Sequence, residues 1–396
     1  MKSDYIFTSE SVTEGHPDKL CDTISDAIVD SFLQKDPMAK VIAECGVSTS
    51  IVFIAARFAS ISSIDFSSLA RKVITQAGYN QSSFNGNTCS IITSIKELPF
   101  DEKQRFDERK MTDEEIEYVP AKNQVTVFGY ACKQTPAFMP LPIWLAHKLS
   151  RRLASVRFQK KLPYLAPDGK TQVAVEYKNR KPYRIQSITV LASQEEQNYP
   201  SINKLRDDIM DEIVKPIFID ESIKPDDKTL IFINPEGAFL IGGPSVHSGL
   251  TGRKNAIDTY GEYSRHSGSA LSGKDPMRID RTGAYAARYA AKNIVSSGLA
   301  EECEVQLSYS IGQSRPVSIQ VESFGTGKIN DEELSKLLER NIDFRPVGIL
   351  KNFNLRYQPS LLKGGFYRKL AVYGHVGRMD IGLPWELTDK ATDLLA

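Results

Sequence analysis

Several things are missing from this sequence, and each absence excludes something. The five cysteines, Cys21, Cys45, Cys89, Cys132 and Cys303, are scattered, odd in number and without a C-x-x-C pair. That spacing argues against a structural zinc site and against a disulfide framework, and it fits a reducing, cytoplasmic setting. No apolar run nears the roughly 20 residues that cross a bilayer, so no membrane partner is expected. The opening stretch MKSDYIFTSESVTEGHPDK has no apolar core behind a basic end and is not a secretory leader. A net charge of +1 gives no global field toward nucleic acid, so anion binding has to come from local clusters. The G-x-S-x-G, HExxH and protein-kinase signatures are absent too.

What remains is a 396-residue chain, 41% apolar and 25% charged, the balance of a globular enzyme with two or three domains. Pro17–Phe32 carries Leu20, Ile24, Ala27, Ile28 and Phe32 on one helical face, with Pro17 in the first turn. KVIAECGVSTSIVFIAARFA reads as paired strands and SSLARKVITQAGY as a helix. Strand, helix, two alternating strands and a helix follow, from QVTVFGYAC to INKLRDDIMDEIVKPIF. A third such unit starts near KTLIFINPEGAFLIGG and includes the helix RTGAYAARYAAKNIVSSG. The expected class is α+β, in units 1–102, 121–230 and 231–396, with 103–120 as an exposed charged connection.

The stretch GSALSGKD, residues 268–275, comes close to the phosphate loop G-x-x-x-x-G-K-[ST]. A true P-loop needs a buried strand before it and a hydroxyl after the lysine, and here Asp275 and Pro276 follow Lys274. Lys274, Arg278 and Arg281 nevertheless cluster beside Asp275 and Asp280. PEGAFLIGGPSVHSGLTGRK adds five glycines before Arg253 and Lys254, and glycine lets backbone approach an anion closely. LAPDGKTQV supplies Lys170 on an expected turn. In the first helix Asp18, Asp22, Asp26 and Asp30 repeat at i+4. Asp18, beside His16 and Lys19 at the helix N-terminus, suits Mg²⁺ and phosphate. Asp26 and Asp30 read as a solvated acidic face. The residues alone thus point to an enzyme that handles a phosphorylated substrate with a divalent metal.

FTSESVTEGHPDKLCDTISDAIVD, FGYACKQTPAFMPLPI, LAPDGKTQV, IGGPSVHSGLTGRKNAIDTYG, SGKDPMRIDRTGAYAARYAAKNIV and YGHVGR together resemble the S-adenosylmethionine synthetase family along nearly the whole chain. The resemblance implies three similar mixed-sheet α/β domains with pseudo-threefold symmetry, in a homodimer or dimer of dimers whose active sites lie at the subunit interface. It implies attack of the methionine sulfur on C5′ of ATP, then cleavage of the triphosphate, with Mg²⁺ (two per site) and K⁺. By similarity, His16, Lys170, Arg253, Lys254 and Lys274 act on the triphosphate, with Asp168, Phe239 and Ala270 as further ATP contacts. Asp18 and Asp280 match the Mg²⁺ ligands and Glu44 the K⁺ ligand.

The acceptor side departs from the family pattern. Arg57 and His247 stand where acids are expected, Asn123 replaces an aspartate, and Arg278 replaces a lysine. TSIKELPF takes the place of a QSPDI segment. One reading keeps methionine in a rebuilt pocket, with Glu97 or Asp258 holding its ammonium. Others are a different thioether acceptor, or a regulatory homologue that only binds nucleotide.

Overall fold

The structure, a computed structural model, describes residues 4–99, 102 and 105–395. The strands are β1 (Tyr5–Val12), β2 (Lys40–Ser48), β3 (Ile51–Ala59), β4 (Ser90–Glu97), β5 (Val125–Cys132), β6 (Leu165–Lys178), β7 (Lys181–Gln194), β8 (Leu230–Ile233), β9 (Gly249–Leu250), β10 (Glu302–Tyr309) and β11 (Ser318–Glu322). The principal helices are α1 (Pro17–Lys35), α2 (Phe66–Ala77), α3 (Leu141–Phe158), α4 (Ile202–Ile209), α5 (Ile279–Ser297) and α6 (Asp331–Asn341). No helix among the described residues is long and apolar enough to cross a membrane.

Three sheets result, ordered β4-β3-β2-β9, β1-β6-β7-β8 and β11-β10-β5. Each rests on a long helix, α1, α3 and α5 respectively. This is the mixed α/β class expected. The sheets exchange strands in a cycle. β1 pairs with β6 of the central segment, Tyr5↔Tyr177 to Val12↔Lys170. β5 of the central segment pairs with β10 of the C-terminal one, and β9 from the C-terminal segment pairs with β2 through Gly46↔Leu250. β8, which the sequence pattern places at the head of the C-terminal unit, runs parallel to β7 as an edge of the central sheet.

Local chemistry accounts for these elements. β2 and β3 alternate strictly, so Val41, Ala43, Val47, Val52, Ile54 and Phe58 enter the core against Leu20, Ile24 and Ile28 of α1. α1 starts at His16 with Pro17 in its first turn, and α2 ends on Gly78 in the left-handed conformation (φ 105°). The connecting segment is not loose where it is described. Glu108 is fully buried on Arg356 (2.9 Å), Arg105 grips Asp36 (2.7 Å), and Arg345 gathers Asp343, Asp113 and Glu117. Residues 103 and 104 of the expected connection, and 100 and 101 just before it, lie outside the described residues.

Candidate active site

β1 runs through Thr13–Gly15 into α1, and that turn lies hard against β6. Thr13 Oγ1 donates to the Pro167 carbonyl (2.7 Å), and a Cβ at Gly15 would overlap Pro167 backbone. The stretch around Lys170, expected as a turn, is the irregular start of β6, with a register shift between Leu165 and Gly169. This contact sets Asp168 beside His16. Asp168 is 5% exposed; its carboxylate accepts the Gly243 N–H (2.8 Å) and lies 3.4 Å from His247 Nε2. The His16 and His247 rings sit 5.3 Å apart. Burial pushes the His16 imidazole down to about 4, against the pull of Asp168 and Asp18. The hydrogen bond with Asp168 raises His247.

The cations arrive on the same surface. Lys170 and Lys254 (3.6 Å) share Glu10 of β1, and half-exposed Arg253 lies 3.7 Å from Asp18. Lys274 sits 3.3 Å from Asp280, whose other oxygen accepts from Asn123 Nδ2 at 2.8 Å. Burial opposes charge on Asp280, but Lys274 and Asn123 prevail and hold its carboxyl below the ordinary value. A Cβ on Gly252 would overlap that of Ala270, so the Arg253 and Lys274 loops touch there. The Phe239 ring faces Gly242, and a Cβ there would come within 3.1 Å of it. Leu240, Gly242, Asp168, Ser193 and Tyr79 line an open hollow beside it.

Three of the sequence candidates stand apart. Arg278 begins α5 and lines a different hollow with Lys40, Phe106, Tyr118 and Lys122. Glu44 and Arg57 point from the open face of β2 and β3, and among the described residues neither has a side-chain partner.

Two expectations are overturned. Asp26 and Asp30 are 0% and 3% exposed, so they are no solvated face. The α1 aspartates instead accept backbone N–H groups from crossing loops. Asp18 takes that of Leu250 (3.0 Å), Asp22 of Gly252 (2.8 Å), Asp26 of Gly273 (2.8 Å), and Asp30 those of Tyr367 (2.9 Å) and Arg368 (3.0 Å). Buried cations balance the middle pair: Lys19 on Asp22 (2.9 Å) and Arg281 on Asp26 (2.7 Å). Burial still raises Asp22, and it raises Asp30 to about 7. Asp258 is not available to hold a ligand ammonium either. It is 1% exposed and ion-paired with Lys19 in the interior, and burial pushes its carboxyl up to about 7.

Sequence reasoning passed over Glu10, Lys19 and the Arg281 contact with Asp26. Glu10 meets Lys170 only through the β1–β6 pairing of segments over 150 residues apart, which the sequence does not show. Lys19 had Asp22 three residues on, but its second partner Asp258 and the Asp26 partner of Arg281 are remote in sequence and left no signal.

What remains to decide is which proteins share this arrangement. Residues 4–99 match the S-adenosylmethionine synthetase N-terminal domain, residues 118–239 the central domain and residues 241–387 the C-terminal domain. The chain belongs to the S-adenosylmethionine synthetase family. An S-adenosylmethionine synthase from Rippkaea orientalis is 48% identical over 405 residues, covering 99% of this chain and 96% of that protein. Those from Acaryochloris marina and Gloeothece citriformis are each 47% identical, covering 100% and 98% of this chain and 97% and 95% of their own lengths.

Proposed function

We propose that this chain makes S-adenosylmethionine from ATP and L-methionine and then hydrolyses the triphosphate to phosphate and diphosphate. Full-length identity of 48% to a synthase carries the reading, and the gathering of Lys170, Arg253, Lys254 and Lys274 supports it. The thioether sulfur is a neutral nucleophile and needs no base, so the demand falls on the leaving triphosphate, whose charge these cations offset. Asp168 and Phe239 hold the nucleoside, Ala270 backs the Arg253 loop, and neutral His16 hydrogen-bonds at the ribose end. His247 and Asn123 face the acceptor; Arg57 and Arg278, which stand apart within one chain, would reach it only from a second copy.

The oxygen donors fit a hard divalent cation. Asp18 and Asp280 each offer a carboxylate beside the cations, and Mg²⁺ takes one or two such ligands plus phosphate oxygens and water. No cluster of three His, Cys, Asp or Glu groups suited to a metal occurs among the described residues. Asp18 and Asp280 would therefore hold two Mg²⁺ ions in company with ATP, and Glu44 would hold K⁺. Bound Mg²⁺ neutralises charge on the triphosphate.

The unit is a homodimer or a dimer of dimers. Leu250, Phe53 and Ile92 form one row across the β4-β3-β2-β9 sheet through the pairs Gly46↔Leu250, Gly46↔Phe53 and Phe53↔Ile92. All three are exposed, at 51%, 45% and 52%. A second copy covering this row would abut Asp18, which holds Leu250.

A second reading, transfer to a different thioether, is favoured by Arg57, a fixed cation with no acceptor for an ammonium, and by the burial of Asp258. One experiment decides. Purified protein is given ATP, Mg²⁺ and K⁺ with and without L-methionine, and sulfonium product and phosphate are measured. Methionine-dependent sulfonium with matching phosphate supports the proposal. Phosphate release without sulfonium, with water the only other nucleophile present, overturns it, and the same assay with other thioethers then tests the second reading.

A further inference from the structure

We propose that Asp22 and Asp26 are positioning residues that set the spacing of the two cation loops from the surface of α1. The inference rests on the reading that Arg253 and Lys274 face the triphosphate. In each loop the cation follows a glycine in the left-handed region, Gly252 (φ 80°) before Arg253 and Gly273 (φ 78°) before Lys274. Each glycine donates its N–H to an aspartate of α1 at 2.8 Å, Gly252 to Asp22 and Gly273 to Asp26. Both aspartates are 0% exposed.

The two acids lie four residues apart on one helix, so their carboxylates are separated along its axis by about 6 Å. A rigid helix therefore fixes how far apart the two loops are anchored. The anchors are themselves held. Lys19 bonds the second oxygen of Asp22 (2.9 Å), and Arg281 makes two bonds to Asp26 (2.8 and 2.7 Å). Arg281 also donates to the Lys274 carbonyl (2.7 Å), so the Gly273–Lys274 segment is held at both its N–H and its carbonyl end. The Gly273 carbonyl accepts from Ala43 N (2.8 Å), which ties the same loop to β2.

Burying carboxylates and cations together is an expensive way to fill a core, and apolar residues of similar volume often serve as well or better. What the ion pairs add is a fixed acceptor for one particular N–H. Asp30 supplies an internal control. It belongs to the same ladder and accepts two N–H groups, yet the loop it holds, at Tyr367 and Arg368, carries none of the cations assigned to the triphosphate.

The test uses the full chain and tripolyphosphate as probe. Asp22→Ala, Asp26→Ala and Asp30→Ala are compared with Asp22→Asn and Asp26→Asn, which keep an oxygen acceptor for the glycine N–H. Hydrolysis kinetics, calorimetric binding of tripolyphosphate, melting temperature and amide exchange at Gly252 and Gly273 are measured. In Asp22→Ala and Asp26→Ala, exchange protection at the corresponding glycine is lost and kcat falls by about 100-fold, the scale of losing one preorganised charge contact. Asp30→Ala lowers the melting temperature comparably while kcat stays within about threefold, and the Asn variants keep most of both protection and kcat. Should Asp26→Ala fail to fold, Asp26→Leu with Arg281→Met removes the buried pair together and is expected to fold with the same loss of kcat.

Unchanged kcat in a folded variant whose glycine has lost protection overturns the proposal. So does an equal kcat loss in Asp30→Ala, which would reduce the ladder to general scaffolding. A wild-type protein that binds but never cleaves tripolyphosphate would defeat the assigned reaction instead. The spacing role is then still decided, by whether the Ala variants weaken tripolyphosphate binding more than Asp30→Ala does.

Discussion

His16 and His247 face each other and are pushed in opposite directions. His16, lowered to about 4 by burial, stays neutral at working pH, while the unfolded chain binds its proton near 6.5. The stability it contributes is present above pH 6.5 and is lost as pH falls toward 4. Urea titrations of wild type and His16→Asn between pH 4 and 7 should show the gap between them closing in that window. His247 has the opposite sign. Raised by Asp168, it is protonated below its folded value and loses that charge as pH rises through it. Facing the acceptor with Asp168 at 3.4 Å, it predicts acceptor affinity that changes as pH rises above 6.5, with His247→Asn flattening the profile in equilibrium binding. Lys274 is expected to act on the reaction itself. Lys274→Ala should lower kcat for triphosphate cleavage by about 100- to 1,000-fold, read by phosphate release, with little change in melting temperature.

At the scale of elements, α1 is the organising piece. One face packs Leu20, Ile24 and Ile28 against the first sheet, and the aspartate face holds three crossing loops. Backbone geometry limits what those loops can carry. At Gly273 the φ of 78° disfavours a side chain, and a Cβ would overlap the Ala43 carbonyl. Gly273→Ala should therefore destabilise the protein by more than about 1 kcal/mol, measured from the urea midpoint. Gly268, five residues earlier, has nothing within 4 Å of a built Cβ, and Gly268→Ala should leave the midpoint nearly unchanged.

For the whole molecule, the cyclic exchange of β1, β5 and β9 means that no sheet is completed by one stretch of sequence. The N-terminal sheet lacks β9 without the C-terminal segment, and the central sheet lacks β1 without the N-terminal one. A fragment of residues 1–102 should lack cooperative unfolding by circular dichroism, and the full chain should melt in one calorimetric transition rather than three. The row Leu250, Phe53 and Ile92 predicts a second consequence. Phe53→Glu with Ile92→Glu should shift the mass in light scattering toward the monomer and reduce activity with it. An unchanged mass would remove that face as the subunit contact.

The sequence by itself marked the long helices and the paired strands β2–β3 and β6–β7, whose periodicity depends on residues a few positions apart, as in the Pro17 start of α1, but not β1, β4 or β9. It also marked the cations of the candidate site, because the motifs that hold Arg253, Lys254 and Lys274 are contiguous. Tertiary structure alone decided the fate of the aspartates. An i+4 row of acids looks the same whether it meets water or the backbone of another segment, and Asp26 and Asp30 find their partners 247 and 337 residues away. The same distance hid the burial of Asp258 on Lys19, 239 residues apart, and the exchange of strands between sheets. Desolvation and hydrogen bonding act between neighbours in space, and only the folded chain says which residues those are.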